Sequence, residues 1–263
     1  MRIAALHGAP HSGDVAANLA RIDGSAAAAA ARGAELLVLP QFFLAGAPSE
    51  GPSASQLAQT SDGPGARALA AIARARAVAI LCGYLELCTG RLYDSALLVD
   101  AAGCARANYR RTHLRPAEEA AGLTRGHWLS VAPLGQEKLG ILIGADIEAP
   151  EPARALALAG SRILVVLAAH GPEAAIVGSA LLRTRAFENA CPLVYANGST
   201  AAGAPRSCLL GQDGSVLAEA EAAGLVVADL PVAAAPPASR PRRRPRLYQK
   251  LAAAIPSEDG PRV

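Results

Sequence analysis

The sequence predicts one layered α/β domain over residues 1–230, followed by a C-terminal arm over 231–263. Three observations carry that expectation. Short runs of Val, Ile and Leu alternate with Ala-rich segments of helical length. Some runs are joined by hairpin turns and others by helices, which implies mixed strands stacked in layers around one core. Beyond residue 230 the alternation stops, and Pro, Ala and Arg take over without periodicity. The 263 residues are 52% apolar and 18% charged, a balance that excludes a disordered class. Aromatic residues make up only 3%, so the core must be built of Ala, Leu, Val and Ile.

The elements are expected in this order. Residues 2–6 form a strand, and Asp14 caps a helix running to about residue 31, with Gly33 past its end. A buried strand at 35–39 ends at Pro40. A helix at 66–76 leads into a strand at 78–85, with a hairpin partner at 95–99 and a third strand at 105–109. Residues 111–127 read as a loop, with Pro116, Gly122 and Gly126. Strands at 129–131 and 139–143, a helix at 152–158, a strand at 163–167 and a longer helix at 173–189 follow. The chain then returns as strands at 193–196, 208–210, 216–218 and 225–230, with Asp213-Gly214 as a hairpin turn.

Charge and cysteine usage narrow the function classes. The formal charge is 25 − 22 = +3, too weak to imply a nucleic-acid protein. The basic run from Arg240 to Arg246 has no recognition motif beside it and reads as a solvated or interface-bound arm. Lys138 and Lys250 are the only lysines, so Arg is the general basic residue here. Five scattered cysteines form no CxxC pair and no disulfide framework. His7 and His11 stand four apart but on a Gly- and Pro-containing loop, so no metal site is expected. The N-terminus lacks the features of a signal peptide, and no uncharged apolar stretch is long enough for a membrane span. A cytoplasmic protein with reduced thiols is expected.

Four segments, taken in order, resemble the nitrilase superfamily of carbon–nitrogen hydrolases. They are Leu37-Val38-Leu39-Pro40-Gln41-Phe42-Phe43-Leu44-Ala45-Gly46, Tyr109-Arg110-Arg111-Thr112-His113-Leu114, Ile143-Gly144-Ala145-Asp146 with Pro150-Glu151 and Arg154, and Arg185-Ala186-Phe187-Glu188-Asn189 with Asn197. Gly83-Tyr84 with Glu86, Tyr93-Asp94-Ser95 and Arg244-Pro245-Arg246-Leu247-Tyr248 add to the likeness. Each segment alone is weak, but their order and spacing are specific. The resemblance implies a four-layer α-β-β-α sandwich, association into a homodimer or higher homo-oligomer, and no cofactor.

The resemblance also implies a Glu general base, a Lys and a Cys nucleophile. At those positions this chain carries Gln41, Arg111 and Gly144. Gly144 offers no thiolate to attack an amide or nitrile carbon. Gln41 keeps the shape of a glutamate without its basicity. Arg111 keeps the charge of a lysine in a larger, planar, forked group. Glu119 matches a further acidic residue expected near the pocket and would orient Arg111. His170 and Glu173 follow a strand end, where α/β sites gather. His113 reads as a structural hydrogen-bonding residue, and Asp146, Glu151 and Arg154 as a structural set.

The expected function is a nitrilase-like pseudoenzyme. It would bind a small ligand bearing a carboxylate or phosphate, held by Arg111 and Gln41 with Glu119, His170 and Glu173 nearby. Two alternatives stay open: an active amidase or carbamoylase with a displaced nucleophile or base, and a non-catalytic assembly partner of an active homologue.

Overall fold

A computed structural model describes residues 1–47 and 54–232. The elements run β1 (Arg2–His7), α1 (Val15–Ala31), β2 (Leu36–Val38), α2 (Ala54–Leu57), α3 (Pro64–Arg76), β3 (Ala79–Cys88), β4 (Arg91–Val99), β5 (Ala105–Arg110) and α4 (Pro116–Ala120). They continue with β6 (Val131–Leu134), β7 (Glu137–Ile143), α5 (Pro150–Leu158), β8 (Ile163–Ala168), α6 (Leu182–Asn189), β9 (Leu193–Asn197), β10 (Cys208–Leu210), β11 (Val216–Glu219) and β12 (Gly224–Asp229).

The strands form two six-stranded sheets, ordered β12-β1-β2-β3-β4-β5 and β11-β10-β9-β8-β7-β6. Alternation along each strand gives each sheet two apolar faces. Ile3, Leu36, Leu81 and Leu98 of the first sheet meet Ile141, Val165 and Val194 of the second in the central core. The opposite face of the first sheet packs on Ile22 and Ala26 of α1 and Leu69 and Ala73 of α3. The outer face of the second packs on Leu156 of α5 and Leu182 and Ala186 of α6. The result is the expected four-layer α-β-β-α sandwich.

Local chemistry sets the boundaries. Asp14 Oδ1 accepts from Ala17 N–H at 2.9 Å, starting α1. Two stretches differ from the sequence expectation. The 111–127 loop contains α4, which begins at Pro116, a residue suited to the first helical turn. The helix expected over 173–189 is broken into a 3₁₀ turn at Pro172–Ala174, a π turn at Val177–Leu181, and α6. A Cβ on Gly178 would lie 2.9 Å from Pro205 Cβ, so the broken segment packs closely on the 205 loop. The arm expected at 231–263 lies outside the described residues from 233 onward. No helix among the described residues is long and apolar enough to cross a membrane.

Candidate functional site

Three strand ends converge at one rim of the sandwich, where ligand sites of α/β sheets gather. Gln41 follows β2, Gly144 follows β7 and Arg111 follows β5. A Cβ built on Gly144 would stand 3.2 Å from both Gln41 Oε1 and Arg111 Cζ. The structure thus brings these three sequence-predicted positions into contact.

Each is held by a specific device. The turn carrying Gln41 presses on β3 at Gly83, where a Cβ would come within 2.7 Å of Gln41 Cα. Only glycine permits that approach. Phe42, next in the turn, sits in left-handed space at φ +54°, a strained setting for a bulky residue. Gly144 also has a left-handed φ of +50°, which glycine adopts without penalty. Asp146, fully buried, fastens the Gly144 turn to the chain after β5. Its carboxylate accepts from Tyr109 Oη at 2.8 Å, Ile143 N–H at 2.9 Å and His113 N–H at 2.9 Å. His113 Nδ1 lies 3.0 Å from the same group, and that hydrogen bond raises the His113 pKa. Asp146 and His113 therefore do the structural work expected of them. From α6, Arg185 donates to the carbonyls of Ile147 and Glu148 at 3.3 and 3.1 Å.

Arg111 is only 2% exposed. Its Nη1 donates to Asp94 Oδ2 at 3.1 Å, and its two terminal nitrogens grip Glu118 at 2.8 and 2.9 Å. Gln41 Nε2 donates to the same Asp94 oxygen at 2.5 Å, while Gln41 Oε1 accepts from Ala169 N–H at 3.0 Å. Burial pushes the Asp94 carboxyl up to about 7, against the pull of Arg111 and Gln41. Three buried polar atoms here have no hydrogen-bond partner among the described residues: Asp94 Oδ1, Arg111 Nε and His170 Nε2.

The remaining sequence candidates separate. The carboxylate that grips Arg111 is Glu118, not the expected Glu119. Glu119 lies on the exposed side of α4 and pairs with Arg125. The reason is helix phase: with Pro116 as first residue, Glu118 is third and turns back to accept from Arg115 N–H at 2.7 Å. His170 is buried beside the site, with its backbone N–H donating to Asn197 Oδ1 at 2.8 Å. Glu173 is exposed and accepts from Gly171 N–H at 3.1 Å. No described contact joins it to Arg111 or Gln41. Asp94 was given no role of its own by the sequence, though an acid inside the apolar run Tyr93–Val99 was the available signal. His7 ends β1 and bonds Ser207 Oγ at 3.1 Å, and no cluster of metal-ligating residues occurs among the described residues.

The profile of the carbon-nitrogen hydrolase family matches residues 2–238. The chain belongs to the carbon–nitrogen hydrolase family. Among curated relatives of this family, a protein called "Hydrolase in pqqF 5'region" from Pseudomonas protegens is 41% identical over 75% of this chain and 69% of its own length. An (R)-stereoselective amidase from a Pseudomonas species is 34% identical, covering 75% of this chain and 70% of its own. Among solved structures, the amidase from Nesterenkonia sp. AN1 superposes with a TM-score of 0.82 at 33% identity, over 95% of this chain and 96% of that one. That structure is a double mutant, glutamate to glutamine and cysteine to alanine, in complex with acrylamide. This carbon–nitrogen hydrolase homologue thus shares its whole fold with an amidase.

Proposed function

We propose that this protein is a non-hydrolysing member of its family that binds a small neutral carboxamide. The single observation that carries the reading is the convergence of Gln41, Arg111 and Gly144 with no nucleophilic side chain at their centre. Three of the five remaining thiols are closed off from the solvent, and neither Cys88 nor Cys104 belongs to the Gln41, Arg111 and Gly144 turns. Cys82, Cys191 and Cys208 are buried, and burial raises the Cys82 thiol and pushes Cys208 up to about 12. The amidase from Nesterenkonia with glutamine and alanine in place of its glutamate and cysteine was crystallised with acrylamide. Gln41 and Gly144 give this chain a comparable non-reactive pair by nature.

The charge balance favours a neutral ligand over the carboxylate or phosphate expected from sequence. Arg111 is already gripped bidentately by Glu118 and paired with Asp94, so an added anion would meet two carboxylates. A carboxamide carries both an acceptor oxygen and donor hydrogens, matching the unpartnered donors and the unpartnered Asp94 oxygen.

One observation favours a second reading. Asp94, with its carboxyl near 7, is suited to general-base work close to neutral pH. It would take a proton from water as the water oxygen forms a bond to the amide carbon. It would then return that proton to the departing amine as the C–N bond breaks. Incubation of the full chain with acetamide, acrylamide and acetonitrile decides between the two. The expected result is no ammonia release above a heat-killed control. Turnover that disappears in Asp94→Asn would establish the second reading.

A further inference from the structure

His170 is fastened to the fold on three sides, and its buried Nε2 is left without a hydrogen-bond partner. Its backbone N–H donates to Asn197 Oδ1 at 2.8 Å, and its carbonyl accepts from Asn197 Nδ2 at 2.9 Å. Its ring stacks on Tyr195 with centroids 6.1 Å apart, and Nδ1 lies 3.0 Å from the Tyr195 hydroxyl. The residue before it, Ala169, donates its N–H to Gln41 Oε1, so the ring stands at the edge of the convergent site.

The hydrogen-bond partners favour one tautomer. Burial lowers the imidazole pKa to about 4, so the ring is neutral at pH 7. A phenol proton needs an acceptor, and among the described residues His170 Nδ1 is the one recorded for Tyr195. That arrangement assigns the ring proton to Nε2. That atom is buried and lacks a hydrogen-bond partner. Glu148 Oε1 is 3.8 Å away, beyond hydrogen-bond reach, and already accepts from Arg115 at 2.7 Å. An unmet buried donor is costly, which makes an acceptor arriving there favourable.

We infer that His170 is a specificity-determining residue of this site, presenting Nε2–H to an oxygen acceptor on the bound molecule. The inference rests on the reading that the site binds a small carboxamide. The Glu148 carboxylate, 3.8 Å from Nε2, is paired with Arg115 instead.

The test uses the full chain labelled with ¹⁵N at histidine, and acetamide as the probe. Among five histidines, the resonances absent from His170→Phe identify His170. They are expected to report the Nε2–H tautomer at pH 7, and Tyr195→Phe to move the population toward Nδ1–H. Acetamide should shift the His170 signals. Its dissociation constant should rise roughly tenfold in His170→Phe, the equivalent of one lost hydrogen bond, and less in His170→Gln, which keeps an N–H donor. An Nδ1–H tautomer in the native chain overturns the inference. So does binding of acetamide that leaves His170 unmoved, with the binding reading then intact. If acetamide shows no saturable binding to the full chain, both fall. Release of ammonia from acetamide overturns only the non-hydrolytic reading.

Discussion

Arg110 and Arg111 are neighbours in the chain, yet they serve opposite faces of one sheet and live in opposite electrostatic conditions. Arg110 lies on the helix-facing side with Glu86. Both Glu86 oxygens are claimed: by Arg110 at 2.6 and 2.9 Å, by Ser95 at 2.6 Å and by Asn108 at 3.0 Å. Burial would raise the Glu86 pKa, but those four donors outweigh it and the net shift is downward. Arg110 also covers the Tyr93 ring at 4.3 Å and reaches solvent. Arg111 turns instead toward the second sheet, where Asp94 is fully buried with one oxygen unmet and its pKa pushed up to about 7. The first cluster is a finished structural joint. The second keeps unsatisfied atoms beside a glycine, and under the carboxamide proposal these are the atoms a ligand would meet.

The largest expected break between them is removal of the arginines. Arg111→Ala leaves Asp94 without its buried counter-charge and should cost about 3–5 kcal/mol of unfolding free energy. Arg110→Ala leaves Glu86 with Ser95 and Asn108 and the option of hydration, so about 1–2 kcal/mol is expected. Urea unfolding at pH 8 measures both. Equal losses would erase the distinction between joint and site.

The next effect is in pH. A carboxyl whose folded pKa is raised binds its proton more tightly in the folded state. Its contribution is full below the unfolded value near 4 and is lost as pH rises through about 7. Asp94→Asn should remove that fall, which is at most about 1.4 kcal/mol per pH unit within the window. His170 acts with the opposite sign, since its pKa is lowered to about 4 and its contribution is lost as pH falls below the ordinary imidazole value of 6.5. Melting curves from pH 4 to 8 should therefore tilt one way in Asp94→Asn and the other in His170→Gln. Parallel profiles would show that neither group titrates as its surroundings dictate.

A smaller effect attends Gly144→Cys. The new side chain must accept φ +50° and a Cβ 3.2 Å from Gln41 Oε1. About 1–3 kcal/mol of destabilisation is expected. Amide hydrolysis should not appear, because Gln41 cannot take the thiol proton. Robust turnover in that variant would identify another base, with Asp94 the first to examine.

Much of this molecule was readable from residue order alone. The strand runs are short, apolar and separated by Gly, Pro and Asp-Gly signals, so the strands and the capped α1 follow from local pattern, while their stacking as a four-layer sandwich followed from the family resemblance. The break in the 173–189 helix does not, since no local signal marks it and the segment packs at Gly178 against Pro205, 27 residues away in sequence. Gln41, Arg111 and Gly144 were legible through motif register. Asp94 was not, because the sequence does not tell which face of β4 an acid occupies or what closes over it.

The difference between Glu118 and Glu119 is the finest form of the same comparison, and it gives the smallest expected effect. The two are chemically identical and adjacent, and only helix phase separates them. Pro116 begins α4, so Glu118 points inward to Arg111 and to the Arg115 N–H, while Glu119 points outward to Arg125. The Glu119–Arg125 partners are 39% and 55% exposed, so solvent screens the pair and Glu119→Ala should change stability by no more than about 0.5 kcal/mol. Glu118→Ala removes two charge-assisted bonds to a buried guanidinium and one helix-capping bond. It should cost about 1–3 kcal/mol and weaken acetamide binding as Arg111 loses its fixed orientation. Thermal melting of the two variants at one pH reads the difference directly. A larger loss from Glu119→Ala than from Glu118→Ala would mean that α4 sits one residue out of phase, and that the expected Glu119 is the partner of Arg111 after all.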